Sequence, residues 1–445
     1  MDGKWLAGMK AVILAAGEGS RMWPLAETRP KHLLPIAGKP LLGHVLTALA
    51  ENAISDVTLV VGFQEDVIRK TLATGEEYGV RLNYVKQPRW TGTAAALGRA
   101  YKALGTDRFL AVYGDLMIDS IAVRILIEKA VSCPRVMGVV RMPDITQYGF
   151  VELRDERVTN IVEKPSKMRS KPGWINAGMY VLDGDVFKAI AKTRASQRAE
   201  YELTTSLQLL IKNGKEINAA IIPDSNWLDV GRPWDLLAAN ERALTTLRSR
   251  KLGTVEAGVT IKGPVLIEQG AVIKSGSYLE GPLYCGKGCK VGPHARIRPF
   301  TSLEADVVVG HSCDVKNSII MKGSKVPHLS YVGDSIIGEH CNLGAGTMTA
   351  NVRFDKRAIR VRIKHQLVDS GCEKLGVIMG DHVETGINAT LLPGVKIGSG
   401  TWIGPGAIVS EDVPSGRIIL VKQKHEKKIR VVDQPIKHVA LRSKS

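Results

Sequence analysis

The sequence predicts two domains of different kinds: a Rossmann-like α/β domain with a mixed, mostly parallel sheet, followed by a left-handed parallel β-helix of hexapeptide repeats. Two observations predict this fold class. In the first half, apolar strands alternate with polar or helical stretches, as in a parallel sheet flanked by helices. In the second half, apolar residues recur every six positions, which is the spacing of a β-helix.

The elements of the first half lead into a predicted linker. KAVILAAG, DVTLVVG and FLAVYGD are apolar strands. The stretch from Trp234 to Arg250 has helical spacing of its apolar residues and no internal glycine or proline. We therefore expect an α/β domain over residues 1–232, a linker helix over 233–252, the β-helix over 253–415 and a basic tail over 416–445. Domains joined in this way are expected to share few contacts.

The six-residue repeat runs from Val255 to Met321 and is then disturbed. It should next fall on Pro327, but it resumes at Ile337, and it is lost again over residues 351–376. Interruptions in a solenoid become loops at one edge of the stack, and such loops commonly carry function. We therefore expect a functional irregularity between the two regular runs.

Composition argues against several classes of function. The hydrophobic share of 44% and the charged share of 24% are typical of a globular protein, and no apolar run has transmembrane length. The N-terminal apolar stretch runs directly into a glycine loop, unlike a signal peptide, so we expect a cytoplasmic protein that binds no membrane. The net charge is +17, but the basic residues are scattered and suit phosphorylated substrates better than nucleic acid. Four cysteines fall on inward repeat positions and should fill the core: Cys285, Cys289, Cys313 and Cys341.

The strand AVILAAG opens into the loop GEGSRMWPLAETRPKHLLPIAGKP. Gly17 and Gly19 leave backbone N–H groups free to bind phosphate, and Arg21 and Lys31 supply positive charge beside them. The string L-A-A-G-x-G-S-R-M, followed by P-K and G-K-P, resembles the signature of sugar-1-phosphate nucleotidyltransferases. It fits neither the Rossmann dinucleotide motif nor a P-loop, which ends in G-K-S/T.

This resemblance implies roles for residues across the first domain. In QPRWTGTAAAL, Gln87 and the backbone of Gly92 would contact the pyrimidine, with Thr93 close by. Asp115 in YGD and Asp229 in WLDVGRPWD fall at the family's magnesium-ligand positions. The residues that would bind the sugar phosphate are Gly149, Glu163, Lys164 and Asn176.

The implied reaction is attack of a sugar-1-phosphate oxygen on the α-phosphorus of UTP or dTTP, with pyrophosphate as the leaving group. Positioning and cations should supply most of the catalysis, because negative charge accumulates on the phosphates in the transition state. Mg²⁺ on Asp115 and Asp229 would bridge the phosphates, while Arg21 and Lys31 would stabilise the triphosphate.

The disturbed segment HLSYVGDSIIGEHCNLGAGTMTAN resembles the acetyltransferase centre of the bifunctional GlmU-type enzymes, which make UDP-N-acetylglucosamine. Acyl transfer from a thioester to an amine needs a base for the amine proton and donors for the developing oxyanion. The resemblance implies that His328 is this base and that Asn351 acts beside it. Tyr331 and Asn342 would orient the sugar and acetyl groups. Two residues upstream would bind the sugar phosphate: Arg298 and Lys316.

The chain departs from the bacterial pattern after Asn351, where NVRFDKR replaces a tyrosine-aspartate-glycine sequence and a following lysine. Either Lys356 or Arg357 could take the place of that lysine beside acetyl-CoA. Ala345 and Asn351 are further expected acetyl-CoA contacts. The insertion up to Leu375 also differs, so the resemblance leaves the acetyl-CoA contacts and the amino sugar open.

Three functions compete. The first is a bifunctional enzyme that uses sugar-1-phosphates, UTP and acetyl-CoA, with Mg²⁺ as cofactor. The second is a monofunctional glucose-1-phosphate uridylyl- or thymidylyltransferase with a structural β-helix, and the third is a non-catalytic regulatory subunit. Lys31, Asp115 and Asp229 argue against the third, and the cluster at His328 favours the first over the second. The flat faces of a β-helix, together with the resemblance, also predict a homotrimer with active sites between the prisms.

Overall fold

The first domain is built around one mixed sheet, and a computed structural model describes the chain over residues 8–89, 91–163, 171–196 and 199–426. The strands are β1 (Lys10–Ala15), β2 (Asp56–Val61), β3 (Arg81–Lys86), β4 (Phe109–Tyr113), β5 (Val136–Met142), β6 (Gly149–Arg154), β7 (Arg157–Glu163), β8 (Gly173–Leu182) and β9 (Asn218–Ile221). Their order is β3-β2-β1-β4-β8-β5-β9-β7-β6. Among these described strands, only β7 and β8 run against the others. The prediction of a mixed, mostly parallel sheet is confirmed.

Helices cover both faces of this sheet. Side chains of β1 alternate between two cores: Ala11, Ile13 and Ala15 face one, and Val12 and Leu14 face the other. The helices are α1 (Leu41–Ala50), α2 (Glu65–Leu72), α3 (Thr93–Arg99), α4 (Tyr101–Leu104), α5 (Ser120–Ser132), α6 (Asp185–Lys192), α7 (Leu203–Lys212) and α8 (Pro233–Thr245). Helices α1, α2 and α5 contribute to the first core, and α3, α6 and α7 to the second. Both faces are apolar because both are covered.

Two features bring polar residues to one edge of the sheet. Strands β1 and β4 are parallel neighbours, so the loops that follow them leave the same edge. The short strand Trp227–Asp229 pairs antiparallel with Leu116–Ile118, and Asp229 lies opposite Leu116. Asp229 is thereby placed near Asp115, at the carboxyl end of the parallel strands.

The second domain is a β-helix whose coils contribute strands to three parallel sheets, which we call the first, second and third faces. The first face contains Arg250–Lys251, Val265–Ile267, Leu283–Cys285, Thr301–Leu303, Ile319–Ile320, Ile336–Ile337, Ile378–Met379 and Lys396–Ile397. The second contains Thr254–Val255, Val272–Ile273, Lys290–Val291, Val308–His311, Lys325–His328, Asn342–Leu343, Glu384–Thr385, Trp402–Ile403 and Ile418–Ile419. The third contains Thr260–Lys262, Tyr278–Glu280, Arg296–Ile297, Asp314–Lys316, Tyr331–Gly333, Met348–Thr349, Thr390–Leu391 and Ile408–Val409. The predicted left-handed β-helix fold is confirmed.

The disturbance of the repeat comes from two shortened corners. Paired residues are 18 positions apart at Arg296 and Asp314, but 17 apart at Ser302 and Ile319, and the next coil is equally short. Each shortened corner turns at a residue with positive φ, Asn317 at 43° and Asp334 at 48°. Asn and Asp tolerate this left-handed conformation better than most residues.

The irregularity expected between the two regular runs therefore lies at these corners and not at His328. Val326 and Val332 point inward, and His328 ends a regular strand in register with His311 on the preceding coil. Met321, which the repeat placed inside the β-helix, instead packs in a core between the domains. The repeat loses one residue at each of two corners and never leaves the coil near the histidine.

Two further differences concern the end of the β-helix. The coil after residue 349 carries an insertion in which Arg360–Ile363 and Gln366–Asp369 form an antiparallel hairpin, which we call the insertion hairpin. The last strand, Ile418–Ile419, pairs with Trp402–Ile403, so the coil continues past residue 415, where the tail was expected to follow. Residues 427–445 of the predicted tail lie outside the described residues.

The expectation of few contacts between the domains is also wrong. One apolar core contains residues of both, including Leu34 from the first domain and Ile319, Met321 and Val361 from the second, together with Trp234 of the linker helix. Helix α8, predicted to extend to residue 250 or beyond, ends at Thr245 and packs in this core. The linker helix is part of the packed interface rather than a spacer.

Ion pairs surround this core. Arg29, in the T-R-P-K part of the glycine-loop segment, donates to Glu339 at 2.7 Å and also to Asp381, and Thr28 donates to Asp381 at 2.5 Å. Glu27 accepts from Ser415 at 2.6 Å. The segment that carries Arg21 and Lys31 is thus held directly against the β-helix.

The four repeat cysteines are buried, as predicted. Within the described part of the chain, no helix is both long enough and apolar enough to cross a membrane.

Two candidate active sites

The first candidate site is a cavity of about 270 Å³ at the carboxyl edge of the sheet. It is lined by most of the residues predicted for the first domain: Gly17, Arg21, Lys31, Thr93, Asp115, Gly149, Glu163, Asn176 and Asp229. Gly19 lines an adjacent cavity, and Lys164 lies outside the described residues. We call this the nucleotide cavity.

Lys31 and Asp115 form the central ion pair of the nucleotide cavity, with 2.5 Å between Nζ and Oδ2. Burial would raise the pKa of Asp115, but the charge and hydrogen bond of Lys31 outweigh burial and lower that pKa to about 2. Gly19, with φ of 72°, allows Lys31 to pack closely, because a Cβ there would lie 3.1 Å from the Lys31 side chain. The absence of a side chain at Gly19 therefore leaves the space that the Lys31 side chain occupies.

Asp229 supplies the second carboxylate. Burial, and then repulsion from Asp115, raise the pKa of Asp229. A Cβ on Gly231 would lie 3.0 Å from the Arg21 guanidinium and 3.3 Å from Asp229, so the glycine leaves room for both side chains. Two nearby carboxylates fit Mg²⁺, which commonly takes one or two protein carboxylates and completes its shell with phosphates and water. No group of three or more potential metal ligands occurs in the described residues.

The residues expected around the base lie at the start of α3. Gln87 is buried, and its Nε2 donates to the carbonyl of Gly92 at 3.3 Å. Gly92 has φ of 112°, and a Cβ there would lie 2.4 Å from the Tyr201 carbonyl. Thr93 accepts from the backbone N–H of Leu203 at 2.9 Å and lines the nucleotide cavity. Gln87 thus supports the loop that presents Thr93.

The expected sugar end lies on β6, β7 and β8. Thr204 donates to Glu163 at 3.0 Å, and Tyr180 donates to the Asn176 side chain at 2.8 Å. A Cβ on Gly149 would lie 3.2 Å from the Glu163 carboxylate. Both polar side chains accept from hydroxyl donors, Glu163 from Thr204 on α7 and Asn176 from Tyr180 on β8 itself.

The second candidate site is organised by Asp334, which is 2% exposed at the shortened corner. Its carboxylate accepts from Lys316 at 3.2 Å, from the Asn317 amide at 2.8 Å and from the Asn351 amide at 2.5 Å. The Asn351 amide also donates to the Tyr331 hydroxyl at 3.0 Å. Two residues predicted from the sequence, Lys316 and Asn351, therefore bind a carboxylate that was not predicted, and Asn351 links it to the predicted Tyr331.

Gly333 leaves the space that the Tyr331 hydroxyl occupies. A Cβ at this position would lie 2.3 Å from the Tyr331 oxygen and 2.7 Å from the Asn351 amide nitrogen. Burial raises the pKa of Tyr331, so its hydroxyl stays protonated. Arg298 directly follows the third-face strand two coils before Tyr331, and it lies 3.9 Å from Asp314 on the coil between them. The site is a polar cluster on the third face.

The remaining predicted residues lie around this cluster rather than within it. His328 is exposed at the end of its second-face strand, directly before the corner that leads to Tyr331. Asn342 is exposed on the same face of the next coil. Lys356 and Arg357 are exposed in the segment before the insertion hairpin, and Ala345 is half-buried at a corner. His328 and Ala345 lie at the corner between the second and third faces, whereas Lys356 and Arg357 follow the third-face strand Met348–Thr349, and one chain does not enclose these groups.

Comparison with known proteins covers almost the whole chain. The nucleotidyl transferase family profile matches residues 10–246, which is more than half of the chain, and the GMPPB C-terminal domain profile matches residues 279–386. A bifunctional protein GlmU from Methanocaldococcus jannaschii is 41% identical over 92% of this chain and 97% of its own length. A bifunctional sugar-1-phosphate nucleotidylyltransferase/acetyltransferase from Sulfurisphaera tokodaii is 41% identical over 93% of this chain and 100% of its own length. The chain belongs to the bifunctional GlmU-type family.

Both candidate sites lie within the residues matched by the two family profiles. A glucose-1-phosphate thymidylyltransferase from Streptomyces griseus is also similar, at 32% identity over 75% of this chain and 92% of its own length. The GlmU-type proteins match more of the chain with higher identity. The chain is accordingly an enzyme, and the non-catalytic alternative is not supported.

The nucleotide cavity is also lined by residues that were not predicted from the sequence. His32 is 2% exposed, and burial, followed by repulsion from Lys31, lowers its pKa to about 3, so its ring is neutral. Trp227 donates through Nε1 to the Ala177 carbonyl at 2.7 Å and fixes the cavity wall. His32 directly follows Lys31 in the P-K-H string, which could have indicated it. Trp227 begins the quoted WLDVGRPWD segment, but its place in the cavity wall depends on the pairing of its short strand.

Proposed function

We propose that the chain is a bifunctional enzyme of UDP-N-acetylglucosamine synthesis. The second domain transfers an acetyl group from acetyl-CoA to glucosamine-1-phosphate, and the first transfers a uridylyl group from UTP to N-acetylglucosamine-1-phosphate. The observation that carries this proposal is the presence of two separate polar centres in one chain, one around Lys31 and Asp115 and one around Asp334. Either centre alone would support only half of the function.

In uridylyl transfer, the glycine loop and two cations hold the triphosphate. Backbone N–H groups at Gly17 and Gly19 bind phosphate oxygens, and Arg21 and Lys31 stabilise the charge that develops as pyrophosphate leaves. Asp115 and Asp229 hold Mg²⁺, which neutralises phosphate charge when bound. Lys31 then exchanges its contact with Asp115 for one with a phosphate oxygen.

The other residues of the first site position the two substrates. Gln87 and the backbone of Gly92 contact the pyrimidine, and Thr93, which lines the nucleotide cavity, lies close by. Glu163 accepts hydrogen bonds from sugar hydroxyls, and the Asn176 amide donates to them or accepts from them. The other proposed sugar-phosphate contacts are Gly149 and Lys164. Holding the sugar phosphate in line with the α-phosphorus supplies much of the rate enhancement.

In acetyl transfer, the ring of His328 takes the proton from the amine as the amine attacks the thioester carbonyl, and CoA leaves as the thiol. Tyr331, Asn342 and Asn351 orient the acetyl and sugar groups. Arg298 and Lys316 bind the sugar phosphate. The expected acetyl-CoA contacts are Ala345, Asn351 and either Lys356 or Arg357.

We further propose that the active unit is a homotrimer. Exposed apolar side chains line the second and third faces and the corner between them, and we call this surface the corner patch: Leu329, Met348, Ile387, Trp402, Ile408 and Ile418. His328 lies on the same corner. A second copy packed there would bury the patch and enclose the histidine, which one chain leaves exposed. The cytoplasmic location stays a prediction.

The direct test supplies the pure protein with two pairs of substrates in separate reactions. Acetyl-CoA with glucosamine-1-phosphate should release free thiol, and UTP with N-acetylglucosamine-1-phosphate should release pyrophosphate. Glucose-1-phosphate with dTTP serves as the competing pair. Rapid turnover of that pair, with no thiol release, would support the thymidylyltransferase alternative and overturn the bifunctional proposal.

A further inference from the structure

A second cavity adjoins the nucleotide cavity and lies between the two domains. Its volume is about 570 Å³. Gly19 and Ser20 of the glycine loop line one side, and Arg362 and Lys364 of the insertion hairpin line the other. Arg21 lines both cavities, so the two spaces meet at this side chain. The β-helix domain therefore reaches the glycine loop of the first domain.

Two of the three carboxylates that line this second cavity, Glu27 and Asp412, already have partners. Glu27 accepts from the Trp23 indole at 2.6 Å and from Ser415 at 2.6 Å. Asp412 lies 3.3 Å from the buried Lys396, whose ammonium group lies 4.6 Å from the centre of the Trp23 ring. These contacts fix the floor of the cavity and neutralise Lys396.

The cations on the rim lack such partners. Within the described residues, no carboxylate lies within ion-pair distance of Arg21, Arg362 or Lys364. The exposed carboxylate of Glu18 also lines the cavity. Burial lowers the pKa of Lys396, and the positive charge of Arg362 adds to this lowering. Positive charges that face one another around a cavity favour the binding of an anionic ligand.

The hairpin is held in a defined orientation. Ile359, Val361 and Ile363 alternate along it and are buried in the interdomain core. The intervening Arg362 therefore points away from the core, and Lys364 stands at the turn with φ of 56°. Cations placed on a packed hairpin lose less entropy on binding a ligand than cations on a free loop would.

We propose that the insertion hairpin completes the triphosphate end of the nucleotidyl-transfer site, with Arg362 and Lys364 binding the terminal phosphates of the nucleoside triphosphate. This inference rests on the proposed uridylyl transfer. The triphosphate begins at Gly17 and Lys31 in the nucleotide cavity, passes Arg21 and Gly19, and ends in the second cavity. The same two side chains bind pyrophosphate in the reverse reaction. Two residues of the acetyltransferase domain thus take part in nucleotidyl transfer.

The test compares Arg362→Ala, Lys364→Ala and their double variant with Arg360→Ala in the full chain. Arg360 lies two residues from Arg362 on the same strand and does not line the second cavity. Calorimetry measures the binding of UTP and of UMP, which lacks the terminal phosphates. Each single variant should weaken UTP binding about tenfold, the usual effect of one lost charged hydrogen bond, and leave UMP binding unchanged. Arg360→Ala should change neither, and thiol release should be normal in all variants.

Two results would overturn the inference. UTP binding within twofold of wild type in the double variant would show that the hairpin cations do not reach the phosphates. Equal weakening of UTP and UMP would show a general effect on the domain interface. The uridylyl-transfer proposal is judged separately, by pyrophosphate release from the wild-type protein with N-acetylglucosamine-1-phosphate.

Discussion

At the scale of single residues, His328 differs from its neighbour His311 in proposed role but not in backbone setting. The two residues are paired on adjacent coils of the second face. His328→Ala should reduce thiol release by about 10²–10⁴-fold, the usual effect of removing a general base, and leave pyrophosphate release unchanged. His311→Ala is the matched control and should retain both activities. If His328→Ala kept more than about a tenth of the wild-type acetyl transfer, the residue would not be the base.

Gly333 offers a second test of the same site, because a methyl group there would overlap the Tyr331 hydroxyl. Gly333→Ala should displace Tyr331 and its contact with Asn351, so acetyl transfer should fall by about tenfold or more. The backbone of Gly333 is not in the left-handed region, so the melting temperature should change little. Steady-state thiol release and thermal unfolding check this. Normal activity would mean that the position of Tyr331 is not critical.

At the scale of elements, the short strand Trp227–Asp229 explains how distant parts of the chain form the first site. Its pairing with Leu116–Ile118 brings Asp229 to Asp115. Asp229→Ala should abolish pyrophosphate release, because it removes one of the two proposed Mg²⁺ ligands. Thiol release should stay within a few-fold of wild type. This separation no longer follows from a lack of domain contacts, so loss of both activities would point to the shared interface.

The sequence predicted the regular secondary structure better than it predicted the corners and interfaces that connect it. A strict period of six identified the β-helix, because each inward side chain must fill one coil. The period could not reveal the shortened corners, since one residue can be lost wherever Asn317 or Asp334 takes a positive φ. The alternation in RVRI and QLVD could have indicated the insertion hairpin. Its packing against the first domain depends on tertiary contacts that no local pattern encodes.

The residues of the candidate sites also divide into those that local motifs predicted and those that only the fold revealed. Motif residues that follow the parallel strands, such as Lys31 and Asp115, could be predicted because the loops after these strands leave the same edge of the sheet. Asp334 was missed although it lies inside the quoted HLSYVGD segment, because a single carboxylate at a turn usually faces solvent. Only the fold shows it buried among the side chains that it holds.

At the scale of the whole molecule, the domain interface contains a buried carboxylate that should make stability depend on pH. Glu304 accepts from the backbone of Gly38 in the first domain at 3.1 Å. Burial, with a smaller contribution from the nearby Glu339, raises the pKa of Glu304 from 4.5 to about 7. A raised acid pKa means that the folded protein binds the proton more tightly. The associated stability is therefore full below pH 4.5 and is lost as the pH rises through 7.

Glu304→Gln should remove this dependence while keeping an oxygen for the Gly38 N–H. The variant should resemble the wild type at pH 5 and be more stable at pH 8, by at most about 3 kcal/mol for a shift of this size. Chemical denaturation at the two pH values measures the difference. A variant that is equally stable or less stable at pH 8 would show that Glu304 is not charged at a cost in the folded protein.

The corner patch carries the last prediction, which concerns assembly. Trp402 and Ile408 are 54% and 70% exposed, so charge at either position should cost a single chain little stability. Ile408→Glu should convert a trimer to monomers in light scattering at micromolar concentration, because a trimer would have to bury three such carboxylates. Thiol release should fall with the assembly, since His328 lies on the same corner, whereas pyrophosphate release should persist. Ile121→Glu, an exposed apolar position on α5 of the first domain, is the control and should leave the trimer intact. A wild-type monomer with full acetyl transfer would contradict both the assembly and the shared site.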